Sequence, residues 1–251
     1  DEDGTHSGAG ALALTVNDLT PVEVVRIGDA PTRVSRSDPD AWERAWTHEG
    51  ISIVHKRDYT DAAESWTEAT LSGRSSSLLS GGDLFGGDLG VSGQSLVSSS
   101  IRQEIDGVEA LKFELDEGAT SLTIDLARLE GNASSDQFEA GRLQLLNASG
   151  EIVAELTFQG DDASHEMQIS LDHNEGFSSF VLTAGVYDDD TFVFGGLANS
   201  SGAYISDPVD LGDGSWLGSD YLLDAVEVEY GAIDSGEPLL LLGIAPEVSI
   251  A

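Results

Sequence analysis

The sequence predicts an all-β protein, an antiparallel β-sandwich with one or two short helices in its N-terminal part. Three observations carry that prediction. From Ile101 onward apolar and polar residues alternate with a period of two, the pattern of strands that bury one face and wet the other. Clusters of Gly, Asn, Asp and Ser interrupt these stretches at short intervals, as turns do in sandwiches. Apolar residues make up 40% of the 251 residues and include 8 Phe, 5 Tyr and 4 Trp, enough to fill a core despite the heavy charge.

Residues 1–10 are polar and Gly-rich and read as a linker or frayed end. Residues 11–80 form an N-terminal segment whose short helices are expected to pack on the sandwich, and residues 81–251 form the main sandwich. Leu12 to Val16 alternates weakly, as a short strand would. Asp38-Pro39 has the form of a helix start, with Asp as N-cap and Pro in the first turn. Trp42 and Trp46 then fall on one helix face, and Gly50 stands where a C-terminal cap belongs. These tryptophans are expected to pin the helix to a sandwich edge. Ile51 to His55 reads as a strand, and residues 60–71 as a second short helix around Trp66. From Ser72 to Ser100 the chain turns Gly- and Ser-rich, a long loop or linker.

The sandwich strands follow. Leu111, Phe113 and Leu115 alternate with Lys112 and Glu114. A turn is expected over residues 116–119, before Leu122, Ile124 and Leu126. Leu143 and Leu145 lead into the turn Asn147-Ala-Ser-Gly150, and Ile152, Ala154, Leu156 and Phe158 continue beyond it. Phe180, Leu182 and Ala184 mark another strand, and Val226, Val228 and Tyr230 the last.

Charge narrows the function. With 46 acidic and 11 basic residues the formal charge is −35, a field that repels phosphate backbones and anionic membranes. Nucleic acid is therefore not an expected partner. No apolar run approaches the ~18 residues of a membrane span, so membrane insertion is not expected either. There is no cysteine, which favours a bacterial origin or metal-based stabilisation. The Asn132, Asn147 and Asn199 sequons then read as turns. The chain opens on Asp1-Glu2-Asp3-Gly4, as a piece of a much longer protein would, and the isolated domain is expected to be monomeric.

Catalytic signatures are missing. There is no thiol, no His-Glu-x-x-His and no Gly-x-Ser-x-Gly, and His6, His48, His55, His165 and His173 lack metal-ligand spacing. A paired-carboxylate glycosidase stays open, since its two acids need only meet in space. The expectation is binding rather than catalysis.

Calcium takes six to eight oxygens from carboxylates and loop carbonyls, and four acidic stretches offer them. They are Gly81 to Asp88, with Asp83 and Asp88; Glu104-Ile-Asp106-Gly-Val-Glu109; Asp188-Asp189-Asp190; and Asp207 to Asp220, with Asp213. Asp83, Asp88, Asp106, Glu109, Asp213 and Asp220 are the candidate metal ligands. Trp216 lies in the turn-like Asp213-Gly-Ser-Trp-Leu-Gly218. A binder is expected to leave two or three of Trp216, Tyr187, Tyr204 and Tyr221 exposed around a concavity. The candidate ligand residues are Tyr187, Asp188, Asp189, Asp190, Trp216 and Tyr221.

Between Asp88 and Tyr230 the chain resembles a domain family of the giant repeats-in-toxin adhesins of marine and other Gram-negative bacteria. Gly90-Val91, Ile105-Asp106-Gly107 and Glu109-Ala-Leu-Lys-Phe113 carry the resemblance, with Gly141 to Val153, Phe177, Phe180-Val-Leu182 and Ser219-Asp220-Tyr221. Residues 1–80 depart from that pattern. The resemblance implies a β-sandwich near the outer tip of a secreted cell-surface adhesin. Such domains bind short peptides, with calcium forming part of the site, or bind sugars. A structural spacer between binding domains is the alternative expectation. By the same resemblance Asp106, Glu109 and Asp220 become the favoured calcium or site acids, and Gly90 and Leu111 are structural.

Overall fold

Alternation from Ile105 onward becomes antiparallel sheet, as the sequence predicts. A computed structural model describes residues 22–29, 41–68, 88–91, 104–129, 131–132, 137–161, 166–188, 191–195, 209–210, 216–217 and 220–231. The N-terminal elements are β1 (Glu23–Gly28), α1 (Ala41–Trp46), β2 (Ile51–Lys56) and β3 (Thr67–Glu68). Then come β4 (Ile105–Asp106), β5 (Ala110–Ala127), β6 (Gly131–Asn132), β7 (Gln137–Phe138), β8 (Ala140–Leu146) and β9 (Ile152–Gln159). The last are β10 (Glu166–Asp188), β11 (Thr191–Phe194), β12 (Val209–Asp210), β13 (Trp216–Leu217) and β14 (Asp220–Tyr230).

Two long strands build the sandwich. The first half of β5 and the second half of β10 lie in one layer, ordered β3-β2-β5-β10-β8-β9. The other halves lie in a second layer, ordered β1-β14-β5-β10. Both strands bend where their register slips, between Asp172 and Ser179 on β10, opposite residues 114–121 of β5. Gly176 sits in this bend at φ 81°, a backbone region that favours glycine. The turn expected over residues 116–119 is therefore a bend inside one continuous strand, since the bulged ladder carries pairing through it.

The alternating apolar residues meet between the layers. Phe113 and Phe180 stack with ring centroids 4.6 Å apart, flanked by Leu111, Leu143, Leu145 and Leu182. Leu122, Ile124, Val226 and Val228 supply the opposite wall. Tyr221 clasps the two layers together. It is fully buried on β14, its ring packs edge-on against Phe158 of β9, and its hydroxyl donates to the Thr183 carbonyl at 3.1 Å. A Cβ on Gly141 would come within 2.3 Å of Phe158 and 2.9 Å of Tyr221, so only glycine fits beneath the clasp. On the edge strand β9, by contrast, Ile152 and Leu156 are exposed although their sequence parity matches that of Phe158. A register slip between Leu145 and Leu146 sets Ile152 opposite Leu146, on the outer face, while Val153 and Ala154 pack against the core.

The N-terminal part is woven into the sheet. β1 pairs with β14 and β2 with β5, so residues 11–80 contribute strands as well as a helix. α1 forms as expected, and Trp46 is buried with its ring 6.5 Å from Phe113. The second helix expected over residues 60–71 is absent from residues 60–68, where turns lead into β3. Glu64 accepts bonds from the Arg57 and Asp58 backbone N–H groups, and Asp58 from those of Thr60 and Asp61. These side-chain-to-backbone bonds compete with helix formation. The strand expected over residues 12–16, the helix start at Asp38-Pro39 and the Gly/Ser-rich stretch at 72–87 and 92–100 lie outside the described residues. Among the described residues no helix is long and apolar enough to cross a membrane.

Candidate functional site

Two acidic positions meet at the start of β14. Asp220 stands opposite Asp106 in the β4–β14 ladder, so the backbone places two of the expected ligands as cross-strand neighbours. Glu109, the third acid favoured by the resemblance, is fully buried. Like charges placed directly opposite destabilise a sheet.

Asp88 lies in a second such pair. Leu89 and Leu223 exchange two backbone hydrogen bonds, at 2.7 and 2.9 Å, which bring Asp88 alongside Asp224. Burial, then the facing charge of Asp224, pushes the Asp88 carboxyl up to about 8. Asp224 is raised too, first by burial and then by the charge of Asp29. Asp83 and Asp213 lie outside the described residues. Among the described residues no three Asp, Glu, His or Cys side chains form a ready metal cage.

The residues expected to touch a ligand separate. Tyr221 departs from its expected place at a concavity: it is a core residue, held there by Phe158 and the Thr183 carbonyl. Asp188 pairs with Thr191 through the backbone and Trp216 with Asp210, but both side chains lie outside the described residues. Asp189, Asp190 and Tyr204 lie outside them entirely. Tyr187 is half-buried on the outer face of the larger layer, where its hydroxyl donates to Thr157 Oγ1 at 2.6 Å.

Around Tyr187 that outer face carries groups the sequence did not single out. Phe192 packs edge-on to Tyr187, Phe194 to Tyr59, and Tyr59 in turn meets Trp66 at 5.8 Å. Three cations lie over these rings. Lys56 and Lys112 are 5.5 and 5.4 Å from the Trp66 centroid, and Arg142 is 5.2 Å from that of Phe194. Register explains the convergence, because Lys56, Ala110, Thr183 and Arg142 follow one another across four neighbouring strands. On the same face Arg142 Nε, Gln144 Oε1 and Thr183 Oγ1 are buried with no hydrogen-bond partner. A cross-strand register of this kind has no signal in a single strand's sequence.

A pocket of about 290 Å³ opens at the far end of β1, lined by Glu23, His48, Glu49, Asp116, Glu117 and Tyr230. Burial and then the Glu23, Glu117 and Asp116 charges raise the Tyr230 hydroxyl above its ordinary value.

No protein-family model matches the chain, and no curated protein does. Among solved structures the chain is similar to a histidine mutant of the lectin-binding domain of lectinolysin in complex with Lewis b. The identity is 12% over 52% of this chain and 70% of that one, with a TM-score of 0.29. It is also similar to the enzymatically active domain of tailspike protein 4 of bacteriophage CBA120. There the identity is 8% over 84% of this chain and 19% of that one, with a TM-score of 0.25.

Proposed function

We propose that this β-sandwich is a calcium-dependent ligand-binding domain of a secreted bacterial surface adhesin, and that it captures a peptide chain end on a partner cell without catalysing a reaction. The observation that carries the ligand reading is the outer face around Tyr187. Half-buried rings there share the sheet face with a buried donor on Arg142, which lies over Phe194, and with buried acceptors on Gln144 and Thr183. A buried polar group without a partner costs about 1–3 kcal/mol. A chain end brings both complements, a carboxylate for Arg142 and an amide N–H for Gln144. Tyr187, Phe192 and Phe194 would supply apolar contact at low entropy cost. Calcium, when bound, supplies positive charge that holds opposed carboxylates together; Asp88, Asp106, Glu109, Asp220 and Asp224 are the acids of this chain suited to hold it. Ordered in advance, the acidic segments lose less entropy on capture.

Glycan binding is the second reading, and one observation favours it. Gln144 and Glu155, planar polar side chains joined at 2.6 Å, lie beside the rings, as in sites that stack a sugar and bond its hydroxyls. Peptide and glycan arrays probed in calcium and in chelator separate the readings. Calcium-dependent peptide hits that weaken in Arg142→Ala and Tyr187→Ala are the expected result. Hits on sugars alone favour the second reading, and silence on both overturns the ligand function and leaves a spacer.

A further inference from the structure

We propose that Asp88 and Asp224 are the protein half of a calcium site that clamps the segment 88–91 onto β14. This deepens the calcium reading above and rests on it, but names a pair that the chain's spacing does not reveal.

The pair is built by a register slip. On β14, Leu223 stands opposite Leu126 and Ala225 opposite Asp125, so Asp224 is an extra residue with no counterpart on β5. Such a bulge re-aims its side chain. On the other side, the reciprocal Leu89–Leu223 backbone bonds fix Asp88 beside it. Asp88 is only 7% exposed, and its Oδ2 has no hydrogen-bond donor. Asp88 and Asp224 share a side-chain hydrogen bond, which leaves Oδ2 of Asp88 buried with its lone pairs open to a cation.

Among the described residues no ion pair reaches Asp88 or Asp224. Asp29, Asp125 and Glu166 all lie near enough for their charges to bear on Asp224. Arg26 is committed elsewhere: its Nε and Nη2 donate to Asp29 at 2.7 and 3.0 Å, and its Nη2 also to Asp125 at 2.6 Å. The described acids that bear on the pair offer oxygen donors, which favour a hard cation. Two carboxyls in a buried setting suit calcium, whose coordination is flexible, over magnesium, which demands a near-ideal octahedron and gives up its waters reluctantly.

The segment explains what the ion would do. Residues 88–91 touch the sandwich through the Leu89–Leu223 pair and through Val91 N–H to the Glu104 carbonyl at 3.2 Å. Leu89 and Val91 are buried in the main core. A cation across Asp88 and Asp224 would convert the repulsive side of that contact into an attractive one and seat both apolar residues.

Calorimetric titration of the whole chain with calcium, and separately with magnesium, at fixed ionic strength tests the site. Wild type is expected to take up calcium, and Asp88→Asn and Asp224→Asn each to take up one ion fewer. Asn in either place keeps a hydrogen bond to the remaining acid, so the variants are expected to melt in chelator no lower than wild type. Unchanged stoichiometry in both variants overturns the proposal and leaves calcium to other acids. A wild type that takes up no calcium, with both Asn variants more stable at every calcium concentration, also overturns it and leaves a proton-sharing pair. A chain that loses an ion in both variants yet captures neither peptide nor glycan keeps the site and overturns only the ligand function.

Discussion

Tyr221 shows how one residue ties sequence to architecture. Its ring fills the seam between the layers above Gly141, and burial raises its hydroxyl far above the ordinary value, so it stays a neutral donor to Thr183. Tyr221→Phe keeps the ring and removes the bond, and is expected to cost about 0.5–1.5 kcal/mol in urea unfolding, with the slope unchanged. A wild-type midpoint would show that the hydroxyl does nothing for the fold. The sequence pointed at Tyr221 for its chemistry and its neighbours Ser219-Asp220, and aromatics beside acids do often line sites. What it could not show is that Tyr221 lies within the strand whose next residues form a wall of the core. Trp46 was legible, because helical spacing and a nearby apolar strand both predicted burial.

At the scale of elements, the segment from Arg57 to Trp66 replaces the expected helix and carries two rings of the outer face. Asp58 accepts from Thr60 N at 2.9 Å and from Thr60 Oγ1, and the hydroxyl bond first of all holds its carboxyl below the ordinary range. A depressed carboxyl contributes stability above its unfolded value of ~3.9 and loses it as the pH falls through the folded value. Melts of wild type and Asp58→Asn across acid pH are expected to differ above about pH 4 and converge below it. A gap that persists undiminished into strong acid would mean the charge form of Asp58 is irrelevant. The period-two strands themselves were read correctly, since every inward position from Leu111 to Leu126 named in the sequence is buried. The bend at residues 116–119 was misread as a turn because Asp, Glu and Gly are turn residues, and only the partner strand shows that pairing continues. β9 teaches the complement: Ile152 has the right parity for the core, but a register slip sets it opposite Leu146 on the outer face, and Leu156 stays exposed on the edge strand.

For the whole molecule, charge and topology set the behaviour. A formal charge of −35 opposes the compact state through self-repulsion, which salt screens. Raising sodium chloride from roughly 0.05 M to roughly 1 M is expected to raise the melting temperature, as the screening length shrinks to ~3 Å. A fall would mean that ion pairs such as Arg26–Asp125 contribute more than the bulk repulsion costs. The acidic stretches were visible in the sequence as clusters of carboxylates. Their pairing was not: Asp106 with Asp220 and Asp88 with Asp224 join segments more than a hundred residues apart, and Asp224 takes part only through a slipped register.

The antiparallel pairing of β1 with β14 has a mechanical consequence. It sets Glu23 beside Tyr230, so the two points where the described sheet is entered and left lie at the same end of neighbouring strands. A pull applied between them would load the backbone bonds one at a time, from Glu23 toward Gly28, instead of shearing all of them together. Such a zipper yields at low force and early, before the Phe113–Phe180 stack feels the load. Tension would therefore strip β1 first and expose the edge of β14, leaving the rest of the sandwich, and whatever it holds, intact.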